Sequence, residues 1–97
     1  MSEARAVVTR AIEEICGIDP AEMKDDRHIF NDLQIDSLDF LDVVFEVDRS
    51  LGIKLPIEER LAESGGKEES ELFFLGAFVA FVEQVSAAAH AKAVVAH

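Results

Sequence analysis

Apolar positions in this chain recur mostly at helical spacing. Val7, Val8, Ala11, Ile12 and Ile15 repeat at three- and four-residue intervals between about Glu3 and Cys16, which places them on one buried stripe of a first helix that Gly17 stops. Asp19 and Pro20 occupy cap and first-turn positions of a short helical turn through Met23, and the polar run from Lys24 to His28 follows. This first connection is long, so it needs buried side chains to stay ordered, and Ile18, Ile29, Phe30, Leu33 and Ile35 are its expected anchors. A second helix is expected after Asp36, running to about Leu51 with Gly52 as its stop; Asp36 and Asp39 resemble a capping box in which Asp replaces the usual Glu or Gln.

That second helix carries more apolar surface than one core contact needs. At about 100° per residue, Phe40, Val43, Val44, Val47 and Leu51 form one face and Leu38, Leu41 and Phe45 another, whereas a surface helix typically buries an arc of roughly 100° or a little more. Ile53, Leu55 and Ile57 alternate with Lys54 and Pro56, but the proline and the following Glu58-Glu59-Arg60-Leu61 favour an extended link into a short third helix near Pro56 to Glu63. Residues 64–70 are polar and contain two glycines, which predicts a mobile surface loop. A last helix is expected from Ser70 or Glu71, with Leu72, Phe73, Leu75, Phe78, Val79, Phe81, Val82 and Val85 demanding burial on most sides; the Ala-rich tail beyond Ser86 either extends that helix or frays. The fold class is therefore all-α: a four-helix bundle with a long first loop and a short third helix, one domain over residues 1–97 with its core at about 3–85.

Composition changes the picture mainly through charge. Nine basic against twenty acidic residues give a formal charge of −11, which disfavours nucleic acid and anionic membrane surfaces and favours partners with basic patches. With 49% hydrophobic residues and seven Phe, the acidity covers a real core. The lone Cys16 forms no internal disulfide, no zinc-ligand spacing is present, no secretory signal is apparent, and the nonpolar stretch from Leu72 to Val82 is too short to span a bilayer, so a cytoplasmic protein is expected.

The candidate chemistry lies at Asp36-Ser37-Leu38-Asp39, where a loop becomes a helix. A helix start exposes unpaired N–H groups and a partial positive charge, so a phosphate on Ser37 would lie in a favourable field. Taken alone, Asp-Ser-Leu favours an ordinary helix-start serine over a modification site by a wide margin. A hydrolase triad of Ser37, His28 and a nearby Asp lacks the Gly-x-Ser-x-Gly elbow, and Asp32, Asp36 and Asp39 do not follow an EF-hand spacing. No catalytic residue and no metal site is expected. Phe73, Phe74, Phe78 and Phe81 read as core.

The run from Asp32 to Asp39, continuing through Leu41-Asp42-Val43-Val44-Phe45-Glu46 and Gly52-Ile53-Lys54-Leu55-Pro56, resembles the acyl carrier protein family. The resemblance implies that Ser37 bears a 4′-phosphopantetheine taken from coenzyme A by a separate, Mg²⁺-dependent transferase, with Asp36 and Leu38 beside it, and that acyl groups ride on the arm as thioesters for fatty acid or lipid A biosynthesis. It implies also that Asp39, Leu41, Asp42, Phe45, Glu46 and Asp48 meet the transferase, acyl-chain synthases and acyltransferases, that the carrier is a monomer, and that the carrier itself catalyses nothing. Gln34 stands where many members have Gly, altering the turn before Asp36, and Arg49 stands where acids are common. The insertion-like segment 64–70, with Asp39-Phe40-Leu41-Asp42 and Gly52-Ile53-Lys54-Leu55-Pro56, is similar to specialised carriers of very long acyl chains for lipid A in some Gram-negative bacteria. Two other readings share these residues: a discrete peptidyl or aminoacyl carrier using Ser37, and an unmodified acidic adaptor that binds a protein through Leu38, Leu41 and Phe45.

A formal charge of −11 on so small a core is self-repulsive. Raising ionic strength or adding millimolar Mg²⁺ therefore raises the melting temperature, measured by circular dichroism; a melting temperature unmoved by both contradicts this.

Overall fold

A computed structural model describes residues 3–63 and 71–95. Four helices make up the frame: α1 (Glu3–Cys16), α2 (Ser37–Leu51), α3 (Ile57–Glu63) and α4 (Leu75–Val95), with 3-10 turns at Pro20–Glu22 and Glu71–Phe73. Among the described residues there is no β-strand, so the all-α expectation holds.

The spacing of apolar residues sets which faces meet. Ala4, Val7, Val8, Ala11 and Ile12 of α1 are buried, as are Phe40, Val43, Val44 and Val47 of α2 and Leu75, Phe78, Val79 and Val82 of α4. α1 packs against both α2 and α4. Between them, Phe30, Phe40, Phe73 and Phe78 form a chain of edge-on contacts with ring centroids 5.1 to 5.9 Å apart, the geometry that aromatic quadrupoles favour. α2 ends as expected, at Gly52, whose φ of 64° is the left-handed conformation that costs a glycine least and lets its N–H reach the Asp48 carbonyl.

The last helix starts later than its apolar content suggests. Residues Glu71–Phe73 form a 3-10 turn, Phe74 pairs with His28 in a single antiparallel β-bridge, and α4 begins only at Leu75. The cause is competition for backbone groups: the Ile29 N–H donates to the Phe73 carbonyl at 2.9 Å, and the Leu75 and Gly76 N–H groups donate to the carbonyls of Arg27 and Asp25 at 2.8 and 3.1 Å. The loop thereby takes up bonds that an earlier helix start would use internally. At its other end the helix continues to Val95, so the Ala-rich tail extends it. The expected loop at 64–70 lies outside the described residues.

The first loop is organised around a buried residue that its polar run conceals. His28 is only 3% exposed. Its Nδ1 accepts the N–H groups of Phe30 and Asn31 at 3.2 and 3.1 Å, its own N–H donates to the Asp32 carboxylate at 2.7 Å, and its carbonyl accepts from Asp32 and Leu33. Its ring meets Phe74 edge-on at 5.3 Å. Ile29 and Ile35 are buried as expected, joined by an Ile35 N–H to Ile29 carbonyl bond of 3.1 Å, while Ile18, Phe30 and Leu33 pack half-buried against the core. Gln34 makes this closure possible with a φ of 56°. The turn before Asp36 thus keeps a glycine-like backbone, and the glutamine bears the steric cost of it.

Two substitutions measure this junction. A Cβ built at Gly76 would lie 2.8 Å from the Asp25 Cβ and 3.3 Å from its Cα. Gly76→Ala, favourable in an open helix, therefore destabilises this protein by about 1–3 kcal/mol in urea unfolding; a stabilised variant contradicts the close approach. Gln34→Gly acts in the opposite direction and raises the urea midpoint by the equivalent of about 0.5–1 kcal/mol at unchanged slope.

Candidate functional site

Ser37 is the first residue of α2 and is solvent-exposed. Asp36 precedes it in extended conformation as the N-cap, its Oδ1 accepting the Asp39 N–H at 2.8 Å while its carbonyl accepts from Phe40. Only half of the capping box forms, because among the described residues the Asp39 carboxylate makes no bond back to the Asp36 N–H. The cap fixes the first turn without engaging the Ser37 hydroxyl, which leaves that oxygen open to a reagent and close to the positive end of the helix dipole.

The surroundings of that dipole end are electronegative. Cys16, half-buried at the end of α1, has its thiol pKa raised by burial first and then by the charges of Asp39, Asp36 and Asp42. It therefore stays a neutral thiol and a poor nucleophile. His28 is held elsewhere by hydrogen bonds to Phe30, Asn31, Asp32 and Leu33, so it serves the loop as a structural residue.

Outward from Ser37, α2 presents the second apolar face. Leu38 is 73% and Phe45 63% exposed, and Leu41 is half-buried between core and solvent. Leu38, Asp42, Phe45 and Arg49 are all exposed and follow one another at spacings of four, three and four, which aligns them in a single stripe along the helix. Beside it, Leu41, Val44, Phe45, Leu55, Pro56 and Ile57, with Asp48, Lys54, Glu58 and Glu59 as its charged lining residues, line a groove of about 430 Å³ between α2 and the 54–59 segment.

The acids of α2 do not all face a partner. Asp48 is half-buried and its carboxylate accepts the Leu55 N–H at 3.0 Å, so it fastens the turn after α2. Glu46 is gripped by Arg49, whose Nε and Nη2 donate to it at 2.6 to 3.1 Å. That pairing raises the Arg49 pKa, first through the hydrogen bond and then through the charge of Glu46. Asp39 and Asp42 are the carboxylates of this helix without such a partner among the described residues. The role of Asp48 depends on where the chain turns after Leu51 and so could not be read from α2 alone, whereas the Glu46–Arg49 pair is a local i,i+3 contact within the helix.

The chemistry this arrangement can perform is attachment: an accessible hydroxyl at a helix N-terminus, suited to an anionic phosphodiester, with an apolar groove on the same helix. Comparison with known proteins agrees. The family described as "Phosphopantetheine attachment site" matches residues 6–64. Acyl carrier protein AcpXL of Rhizobium meliloti (strain 1021) is 44% identical over 69 residues, 70% of this chain and 73% of that protein. Its namesake in Brucella melitensis biotype 1 is 41% identical over 76 residues, 77% of this chain and 82% of that protein. The meromycolate extension acyl carrier protein of Mycobacterium leprae (strain TN) is 33% identical over 57 residues, 59% of this chain and 50% of that protein. An exposed serine at a capped helix start, with a phosphopantetheine-site match across it, makes this chain a member of the acyl carrier protein family.

Proposed function

We propose that Ser37 is the attachment point of 4′-phosphopantetheine and that the protein hands acyl groups between enzymes of fatty acid or lipid A biosynthesis. The observation that carries this is the free, exposed position of Ser37 at a helix start whose cap is supplied by Asp36. Once attached, the arm supplies a terminal thiol that holds an acyl group as a thioester. Everything else falls to the protein's own residues: the first turn of α2 stabilises the phosphodiester, Asp36 keeps that turn formed, and Leu38 lies next to the arm's base.

The groove lined by Leu41, Val44, Phe45, Leu55, Pro56 and Ile57 is on the attachment helix, and its lining suits an acyl chain. Asp39 and Asp42 set the encounter with basic patches on the transferase, synthases and acyltransferases, while Leu38 and Phe45 supply apolar contact once docked. Glu46 joins such a contact only where Arg49 turns away. The carrier acts as a cytoplasmic monomer and leaves catalysis to its partners; among the described residues no helix is long and apolar enough to cross a membrane. Similarity to AcpXL proteins over 70% or more of the chain supports the specialised reading, in which the cargo is a very long acyl chain for lipid A.

Incubating the protein with coenzyme A, Mg²⁺ and a phosphopantetheinyl transferase adds the mass of one phosphopantetheine, and Ser37→Ala abolishes the gain. Intact-protein mass spectrometry reads both results, and the mass of the natural thioester separates acyl from aminoacyl or peptidyl cargo. A protein that takes no adduct from a range of transferases refutes the carrier reading.

A further inference from the structure

Arg60 reaches from α3 across to the start of α4. Its guanidinium carbon stands 4.5 Å from the centroid of the Phe81 ring, and Nη2 donates to the carbonyls of Leu72 and Ala77 at 3.3 and 3.4 Å. Those two carbonyls bracket Phe73, Phe74, Leu75 and Gly76, the segment to which the first loop is paired on its other side. A cation is thereby lodged between the shortest helix and the most heavily braced junction of the fold.

α3 is short: it has seven residues, well below the roughly 12–15 at which a helix begins to stand alone in water. Glu58, Glu59 and Ala62 are exposed, and Ile57 packs only half-buried against the core. The hydrogen bonds from Arg60 to the Leu72 and Ala77 carbonyls are at the long end of the range, and attraction to a ring face tolerates sliding. Such a contact breaks and re-forms without rebuilding backbone structure.

Pro56 and Ile57, at the start of α3, form one wall of the groove whose other wall is Leu41, Val44 and Phe45 of α2. We propose that Arg60 is a latch that positions α3, and through it the width of this groove, so that releasing the guanidinium from Phe81 and the two carbonyls opens the groove to a long acyl chain. The cargo in this statement rests on the carrier reading above; the latch does not. Arg60 is a positioning residue, acting through α3 and touching no reacting atom. Lysine is no full substitute for it, because an ammonium lacks the planar face that lies over Phe81.

The test uses the full chain with Arg60→Met, which keeps an apolar stem, Arg60→Lys, which keeps the charge, and Phe81→Leu, which keeps apolar bulk. Backbone hydrogen exchange is followed in all variants, and hydroxylamine release is timed for hexadecanoyl and butyryl thioesters carried on Ser37. In Arg60→Met the amides of α3 exchange about tenfold faster while those of α1 are unchanged, and Arg60→Lys and Phe81→Leu lie between it and the parent. The hexadecanoyl group is released several-fold more slowly than from the parent, because the widened groove admits and shelters it, and the butyryl group at the parental rate. If Arg60→Met loses protection throughout the bundle, Phe81→Leu decides by the same criteria. Unchanged exchange in α3 overturns the latch, and faster exchange with unchanged hexadecanoyl release overturns its control of the groove. A Ser37 that accepts no arm overturns the carrier reading instead, and the exchange rates still decide whether the latch exists.

Discussion

The backbone pairing between the first loop and the beginning of α4 is the constraint on which the rest depends. Three N–H groups, of Ile29, Leu75 and Gly76, cross that junction, and each is matched to a carbonyl on the opposite segment. A long loop carries many backbone groups that cannot be buried unpaired, so this exchange is what allows Ile29 and Ile35 to enter the core. His28 completes it from inside, with an imidazole nitrogen serving as the acceptor for two consecutive N–H groups where no helix or strand could supply one. With Ile35 fixed and Gln34 held left-handed, the chain has one place to begin α2, and Asp36 stands there as its cap. The position of Ser37 is thus decided by the far end of the sequence as much as by its own neighbours.

Charge is distributed along α2 with more economy than its count of acids suggests. Asp36 is committed to a cap, Asp48 to the turn that follows, and Glu46 to Arg49. Each commitment is local and modest, since exposed ion pairs contribute on the order of 0–1 kcal/mol. Together they concentrate the unpaired negative charge at Asp39 and Asp42, near Ser37, and place Arg49, paired with Glu46, at the far end of the stripe that runs through Leu38 and Phe45. Net negative charge on α2 is therefore greatest near Ser37 and smaller beyond Phe45.

Much of this was legible in the sequence where local rules govern. The limits of α1 and α2 follow from apolar spacing, a capping aspartate and a glycine just past the end, and the excess apolar arc on α2 correctly marked Leu38 and Phe45 as residues the core does not need. Illegible were the features that need two distant segments at once. The Glu71–Phe73 turn has helical composition, yet pairing with the loop delays the helix to Leu75. His28 lies in a polar run that reads as solvent-facing, and only the Phe74 ring and the Asp32 carboxylate reveal why it is buried. Arg60 sits in a charged run, Glu58-Glu59-Arg60, indistinguishable from an exposed helix turn until Phe81 comes over it.

These features divide the molecule into a stiff side and a yielding one. On the stiff side, α1, α2 and α4 share an interlocked set of buried valines and edge-on phenylalanines, and the paired loop pins the helix start that bears Ser37. On the yielding side, a seven-residue helix follows a proline-containing link, and among its described contacts with the bundle are half-buried Ile57 and the Arg60 cation over Phe81. A carrier needs both properties in different places. Its attachment point must present the same geometry to every enzyme that visits, whereas its cargo differs in volume from one visit to the next, and close-packed interiors accept added volume only at considerable cost. Confining the adjustable contact to α3 lets the groove change while the helix carrying the serine stays fixed.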